Sequence, residues 1–300
     1  MNQKRFWITA MVGLLFVHAS VISADQIRWK FKAGDRYEIS IDQSSTMKST
    51  VNRTVVDVKL ELGSEMRWEV LSIKENGNAV IKQVYTRMKV KVTKTAKPTI
   101  VYDTANKEDV PKNAKNFAEV YDKVIDIPFE VEMTERGEIV SVNLENKDKE
   151  TIREIPESME ARQLFEKRGI MKLLNGGGFI LPKDEIETGF QWPVKKTQKM
   201  SFGTADYESI FTYQGTDAAS GVAKFAVKAT AKLKDQPKNP LEKPLVLKTQ
   251  NQTGEIAFDT RGGFLKSNQV RQEMATEKPF REMTIKTESV VENKLNVVKK

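Results

Sequence analysis

The segment ENGNAVIKQVYTRMKVKV, residues 75–92, decides the fold class. Glu75-Asn76-Gly77-Asn78 is a strong hairpin signal, since Asn and Gly tolerate the positive φ that tight turns need. In the run that follows, Val84, Thr86, Met88, Val90 and Val92 fall two residues apart. That spacing puts them on one face of a strand, with charged residues on the other. One apolar and one charged face per strand is the mark of an antiparallel sheet with a solvated side.

The same alternation extends outward in both directions. Upstream, Ile27, Trp29 and Phe31 are spaced by two, Ala33-Gly34-Asp35 reads as a turn, and Tyr37, Ile39 and Ile41 continue. These two runs predict a hairpin. A polar Ser/Thr stretch follows, then Val56, Val58, Leu60 and Leu62, with Gly63-Ser64 read as a turn into Met66, Trp68 and Val70. Downstream, Thr104 to Asn116 reads as a loop, Phe117 to Val124 as a short helix, and Ile127 to Met133 and Ile139 to Val142 as a hairpin. Beyond Gly189, strands are expected over Tyr207–Tyr213, Ala223–Leu233 and Ile256–Phe258, with a last one from Met283. Asp235 to Pro244 reads as an exposed loop.

Between the two β-rich stretches lies a helical joint. Lys147 to Glu154 is charged and helical in pattern, and from Ser158 the residues Met159, Leu164, Phe165, Met171 and Leu174 recur at helical spacing. Asn175-Gly176 caps the run and Gly176-Gly177-Gly178 is a hinge. It is no phosphate loop, since the glycines follow a helix and Phe179 follows them. The organisation expected is therefore a leader (1–24), an N-terminal antiparallel half (25–146), a joint (147–187) and a C-terminal antiparallel half (188–300). FEVEMTERGEIVSV (129–142) and GEIAFDTRGGFLKS (254–267) resemble one another. Either a duplicated half or convergent turn chemistry accounts for that.

Residues 1–24 have the form of a secretory signal peptide: Lys4 and Arg5, an apolar run from Phe6 to Val17, then small residues up to Ala24. The apolar run is too short to span a bilayer, so an exported protein of the periplasm or exterior is expected. The chain has no cysteine, and its single histidine, His18, lies in the leader. Ser-His-Asp and Cys-His catalysis, His or Cys zinc sites and disulfides are thus excluded from the exported part. The formal net charge of +8 is scattered among acidic residues. Scattering of that kind describes a solvated surface and predicts no nucleic-acid partner. Lys195, Lys196 and Lys199 form a local excess of charge.

Asp57, Glu61, Glu130, Glu132 and Asp259 alternate with apolar residues, which puts them on solvated faces and not in a catalytic pair. Asp103, Asp109 and Asp122 lack calcium-loop spacing. No metal or other cofactor is expected. Core filling is the default for Trp29, Trp68 and Trp192. If the sheet's concave face is under-filled, these three with Met66, Met88, Phe129, Phe165 and Phe225 line an apolar ligand cavity.

WKFKAGDRY (29–37), GFILP (178–182) leading to GFQW (189–192), and GEIAFDTRGGFL (254–265) resemble an uncharacterised family of bacterial exported β-rich proteins, frequent in planctomycete-like genomes. The resemblance covers most of the chain and implies no activity or site. In architecture the chain is similar to periplasmic lipoprotein carriers and mycobacterial lipid-binding lipoproteins, half-barrels around an apolar cavity. That similarity implies a lipid-like ligand, although the anchoring cysteine of some of these proteins is absent.

The expectation is a mainly β (α+β) fold, with a long curved antiparallel sheet, or two related half-barrel halves, and a few helices. The leading function is a non-enzymatic binding protein for an apolar or amphiphilic ligand. The alternatives are an interaction protein of the cell envelope and, third, a carboxylate-dependent hydrolase. A cavity lined by Trp and Met favours the first, and a solid core with an exposed apolar patch the second.

Overall fold

The computed structural model describes residues 26–108, 110–154, 179–200, 203–234, 244–280 and 283–300. The leader, Phe165 and most of the joint, and nearly all of the 235–244 loop lie outside these residues. The strands are β1 (Arg36–Val51), β2 (Thr54–Ile73), β3 (Ala79–Lys94), β4 (Ile100–Asp103), β5 (Pro128–Met133), β6 (Ile139–Leu144), β7 (Gln191–Met200), β8 (Gly203–Asp217), β9 (Val222–Lys234), β10 (Val246–Asp259), β11 (Phe264–Phe280) and β12 (Met283–Lys299). Two helices, α1 (Lys115–Tyr121) and α2 (Asn146–Arg153), follow β4 and β6. Among the described residues, no helix is long and apolar enough to cross a membrane.

All strands among the described residues belong to one sheet of 12, in the order β6-β5-β3-β2-β1-β12-β11-β10-β9-β8-β7, with β4 also pairing with β3. It is antiparallel throughout, mainly β and unclosed. The last strand pairs with the first, Tyr37 opposite Lys299, so both halves of the chain share a single sheet.

Four sequence expectations change. Ser44 to Thr50, read as a polar stretch, is strand, because β1 is held by β2 on one side and β12 on the other. Pairing on both edges overrides weak local preference. Gly63-Ser64 is the middle of β2 and not a turn. The face proposed for Val84 and Thr86 is wrong, because a bulge intervenes. Met66 pairs with Tyr85 but Glu65 pairs with Arg87, leaving Thr86 as the extra residue. Ile81 and Tyr85 therefore face the core before the bulge, and Met88 and Val90 after it.

The fourth change concerns Ile27, Trp29 and Phe31, which form no strand. Residues 26–33 instead strap the ends of two hairpins together. The Trp29 amide donates to the Glu135 carbonyl (2.8 Å) and the Lys30 amide to that of Gly263 (2.9 Å). Those are the turns of β5–β6 and β10–β11, the two hairpins whose sequences resemble each other. Both turns need glycine for the same reason, close approach of the strap. A Cβ on Gly137 (φ +86°) would lie 2.8 Å from Trp29 Nε1, and one on Gly263 (φ +66°) 2.3 Å from Lys30 Cβ. Arg28 secures the strap further, donating to the Pro182 carbonyl (2.8 Å) and pairing with Glu135 (3.2 Å).

The apolar residues pack in two clusters. The first joins β1–β6 with α1 and α2 around Tyr37, Met66, Tyr85 and Phe129. The second joins β8–β10 with Ile27, Leu181 and Ile186 around Phe211, Phe225 and Phe258. Trp29 packs against both, stacked on Phe31 at 5.1 Å and edge-on to Phe258 at 5.6 Å. The outer strand β7 carries Pro193 and the lysine excess at 195, 196 and 199. Proline and lysine on an edge discourage pairing with another chain, which accounts for the cluster without a polyanionic partner.

Where β12 meets the turn before β1, Asp35 accepts from Lys299 Nζ (2.7 Å), the Lys32 amide (3.0 Å) and the Tyr37 hydroxyl (3.3 Å). Burial opposes the charge on Asp35, but these donors together outweigh it and hold the carboxyl below its ordinary value of 3.8. A folded pKa below the unfolded one means stability that is present at neutral pH and lost as pH falls through the folded value. Asp35→Asn is expected to cost about 1–2 kcal/mol at pH 7. Urea titrations at pH 7 and pH 3 check this, because the gap to wild type must shrink at the lower pH.

Candidate functional site

An open volume of about 790 Å³ forms a groove that reaches from β4 to β10. Six strand intervals of about 4.8 Å separate those strands, so the sheet must curl for one hollow to touch both. The lining follows the pairing register in three rows, of which two carry the charges. The first runs Asp103–Lys89–Gly63–Asp42–Lys294–Gln269–Glu255 from strand to strand. The second, two residues along each strand, runs Val101–Lys91–Glu61–Ser44–Glu292–Arg271–Thr253.

Between the rows lie positions that face the other way, among them Val90 and Tyr102, which belong to the first cluster. These also line the groove, in a third row Tyr102–Val90–Leu62–Gln43–Asn293–Val270–Gly254, while the side chains of the two flanking rows stand on the face turned away from both cores. Two smaller hollows extend it on that face. One, of about 380 Å³, lies between Arg36, Arg67 and Lys82, and the other, of about 490 Å³, between Lys48, Asp57 and Glu288. From Arg36 to Lys48 on β1 the trough is about 40 Å long at ~3.4 Å per residue.

Most charges in the rows are matched. Arg87 holds Asp103 with two hydrogen bonds, at 2.9 and 2.7 Å, and this fork is the main reason its carboxyl sits below the usual range. Glu61 accepts from Lys59 at 2.9 Å, with Lys91 at 3.4 Å, and is lowered chiefly by the Lys59 bond. Arg271 binds both Glu273 and Glu292. Carboxylates held ionised in this way are poor proton donors at neutral pH. The middle of the floor is small, Gly63 beside Ser44, and the aliphatic stems of the lysines form its walls.

The aromatic and methionine residues singled out in the sequence are elsewhere. Trp68, Met66, Met88 and Phe129 lie together in the first cluster, and Trp192 and Phe225 in the second. Trp29 joins the clusters, and Phe165 lies outside the described residues. None of the seven described residues lines the 790 Å³ groove, and of them Trp68 borders the 380 Å³ hollow. The first cluster also encloses Gln83, 0 % exposed, whose amide has no hydrogen-bond partner among the described residues, as is true of Nε1 of its cross-strand neighbour Trp68. The charged groove residues are ordinary outward-facing strand positions. The one local signal for them is Gly63, a glycine inside an otherwise regular alternation.

Residues 76–265 match the profile of a family described as a family of unknown function (DUF6263). No curated protein matches the chain. Among solved structures, the chain is similar to lipovitellin, from a structure of its lipid–protein interactions, with 14% identity and a TM-score of 0.48 over 90% of this chain and 25% of that one. It thus spans about a quarter of that protein's length. Similarity to an outer membrane channel from Pseudomonas putida F1 is 8% in identity with a TM-score of 0.25, over 90% of this chain and 97% of that one. For DynF, from the dynemicin biosynthesis pathway of Micromonospora chersina, the values are 8% and 0.19, over 96% and 92%. Scores of this size carry no argument about ligand or activity.

Proposed function

We propose, for a chain that belongs to this family of unknown function (DUF6263) and takes no activity from it, that the protein is a non-enzymatic binding protein of the exported compartment. Its ligand is an amphiphile, and the place where it is held is the groove across β4 to β10, not the filled cores. The observation that carries this is the trough of hollows along one face of β1, wide at its middle, with aliphatic stems and both signs of charge in its walls. Such walls suit a molecule with an apolar body and a polar head. Export rests on the signal-peptide pattern of residues 1–24. The absence of cysteine and of any histidine beyond His18 supports a role without nucleophilic catalysis.

Native mass spectrometry of the protein from its exported fraction, followed by solvent extraction, tests this reading, with Gly63→Val as the control that fills the groove. Gly63 has ordinary strand backbone, and a Cβ there meets only van der Waals contacts, at 3.5 Å or more. The variant is thus expected to fold with stability within about 1 kcal/mol of wild type, glycine being poor in strands. Wild type should carry a stoichiometric amphiphile that Gly63→Val has lost. A clean apo mass for wild type, or a variant that keeps its ligand, would sink the groove.

A second reading, an interaction protein of the cell envelope without a small ligand, is favoured by the filled cores and by Leu71 and Ile73, both exposed at the end of β2. A partner protein in the same spectrum, with no amphiphile, selects it.

A further inference from the structure

We infer that the centre of the groove takes a head group bearing both charges, an ammonium beside a phosphate or carboxylate; this rests on the groove reading above. Gly63 stands in the first row between Asp42 and Lys89, and with no side chain it leaves a space that both neighbours border. A Cβ there would lie 3.5 Å from Asp42 Oδ1 and 3.7 Å from Lys89 Cβ, so the carboxylate and the lysine stem lean over the same point.

The charges around that point are the ones the sheet leaves unused. Asp42 and Lys294 are direct cross-strand neighbours, yet neither has an ion-pair partner within 4.0 Å among the described residues. Lys89 lies 4.0 Å from Glu65 and also acts on Asp103, which Arg87 already holds. Elsewhere in the rows Asp103, Glu61 and Glu292 are held by Arg87, Lys59 and Arg271, and Glu255, at the far wall, is the other group without an ion-pair partner among the described residues. A ligand ammonium placed over Gly63 meets the Asp42 carboxylate, and an anion beside it meets Lys294 and Lys89. A purely anionic head is opposed by Asp42 and a purely cationic one by the two lysines. The site therefore selects a zwitterion by repulsion as well as attraction.

The test titrates ¹⁵N-labelled protein with glycerophosphoethanolamine, the head group without acyl chains, and separately with glycerol 3-phosphate and with ethanolamine, following the Gly63 and Ser44 amide signals. The zwitterion is expected to bind roughly threefold tighter than either half, the scale of one exposed ion pair. Asp42→Asn should abolish the advantage over glycerol 3-phosphate, and Lys294→Gln the advantage over ethanolamine. Unchanged thermal melts would establish that both variants fold. A zwitterion no better than its halves, or an order unmoved by Asp42→Asn, overturns the assignment.

Lysophosphatidylethanolamine and a monoacylglycerol of equal chain length separate this from the groove reading itself. If both shift the groove signals equally, and Gly63→Val abolishes both, the groove stands and the zwitterion falls. If neither moves them, both fall. A lysolipid tighter than the bare head group identifies a lipid as the source, and equal binding a free solute.

Discussion

Replacing Gly263 by alanine is expected to cost about 2–5 kcal/mol, a large part of the stability of an ordinary domain. Two effects add. The residue sits at φ +66°, where a side chain is strained, and its Cβ would lie 2.3 Å from Lys30 Cβ and 2.6 Å from the Lys30 amide nitrogen. The second contact is with backbone, so no rotamer change relieves it. The strap must lift, and with it Trp29, which touches both clusters. Gly77→Ala is the control: its φ is +82°, but nothing lies within 4 Å of the added Cβ, so only the strain remains. Urea unfolding of the two variants isolates the strap contact as the difference between them. Equal losses would mean that the strap does not hold the hairpins together.

Truncating Phe225 to alanine is expected to cost about 3–5 kcal/mol. Phe225 is 0 % exposed, with Phe179, Tyr213 and Trp192 around it at ring separations of 5.1, 5.3 and 5.9 Å. Trp192 and Tyr213 cannot collapse into the space left, because they sit on the paired strands β7 and β8. The same substitution in a ligand-lined cavity would cost far less, since one wall of the site would already be open. A loss under about 1 kcal/mol would therefore return Phe225 to the role of ligand contact and count against the filled core. Chemical denaturation gives the number, and an unchanged ligand complement in the exported protein is the companion result expected.

The alternation that marked the strands survived folding well where it was regular. Met66, Trp68, Phe129, Val131 and Phe225 all point into cores. The Glu75–Asn78 turn was legible because Gly77 adopts positive φ there, and α1 and α2 lie where the helical pattern placed them. Polarity misled at Ser44 to Thr50, where serine and threonine occupy a strand paired on both edges. Alternation misled at Trp29, because a strap across two turns has the spacing of a strand without a ladder. The resemblance between the β5–β6 and β10–β11 turns has a plain physical origin, since the same short segment passes close to both.

The residue pattern alone determined that the protein is built from antiparallel strands with one charged face, that it lacks cysteine and nearly lacks histidine, and that the chain turns at Glu75–Asn78. Each of those depends on composition or on neighbours within a few positions. Tertiary structure alone decided that both halves share one sheet, that Thr86 is a bulge, and that the open space lies on the charged face. The reason is that β1 takes β12 as its neighbour from the opposite end of the chain. A groove whose rows run across seven strands is set by register between distant segments, and no local spacing carries that register.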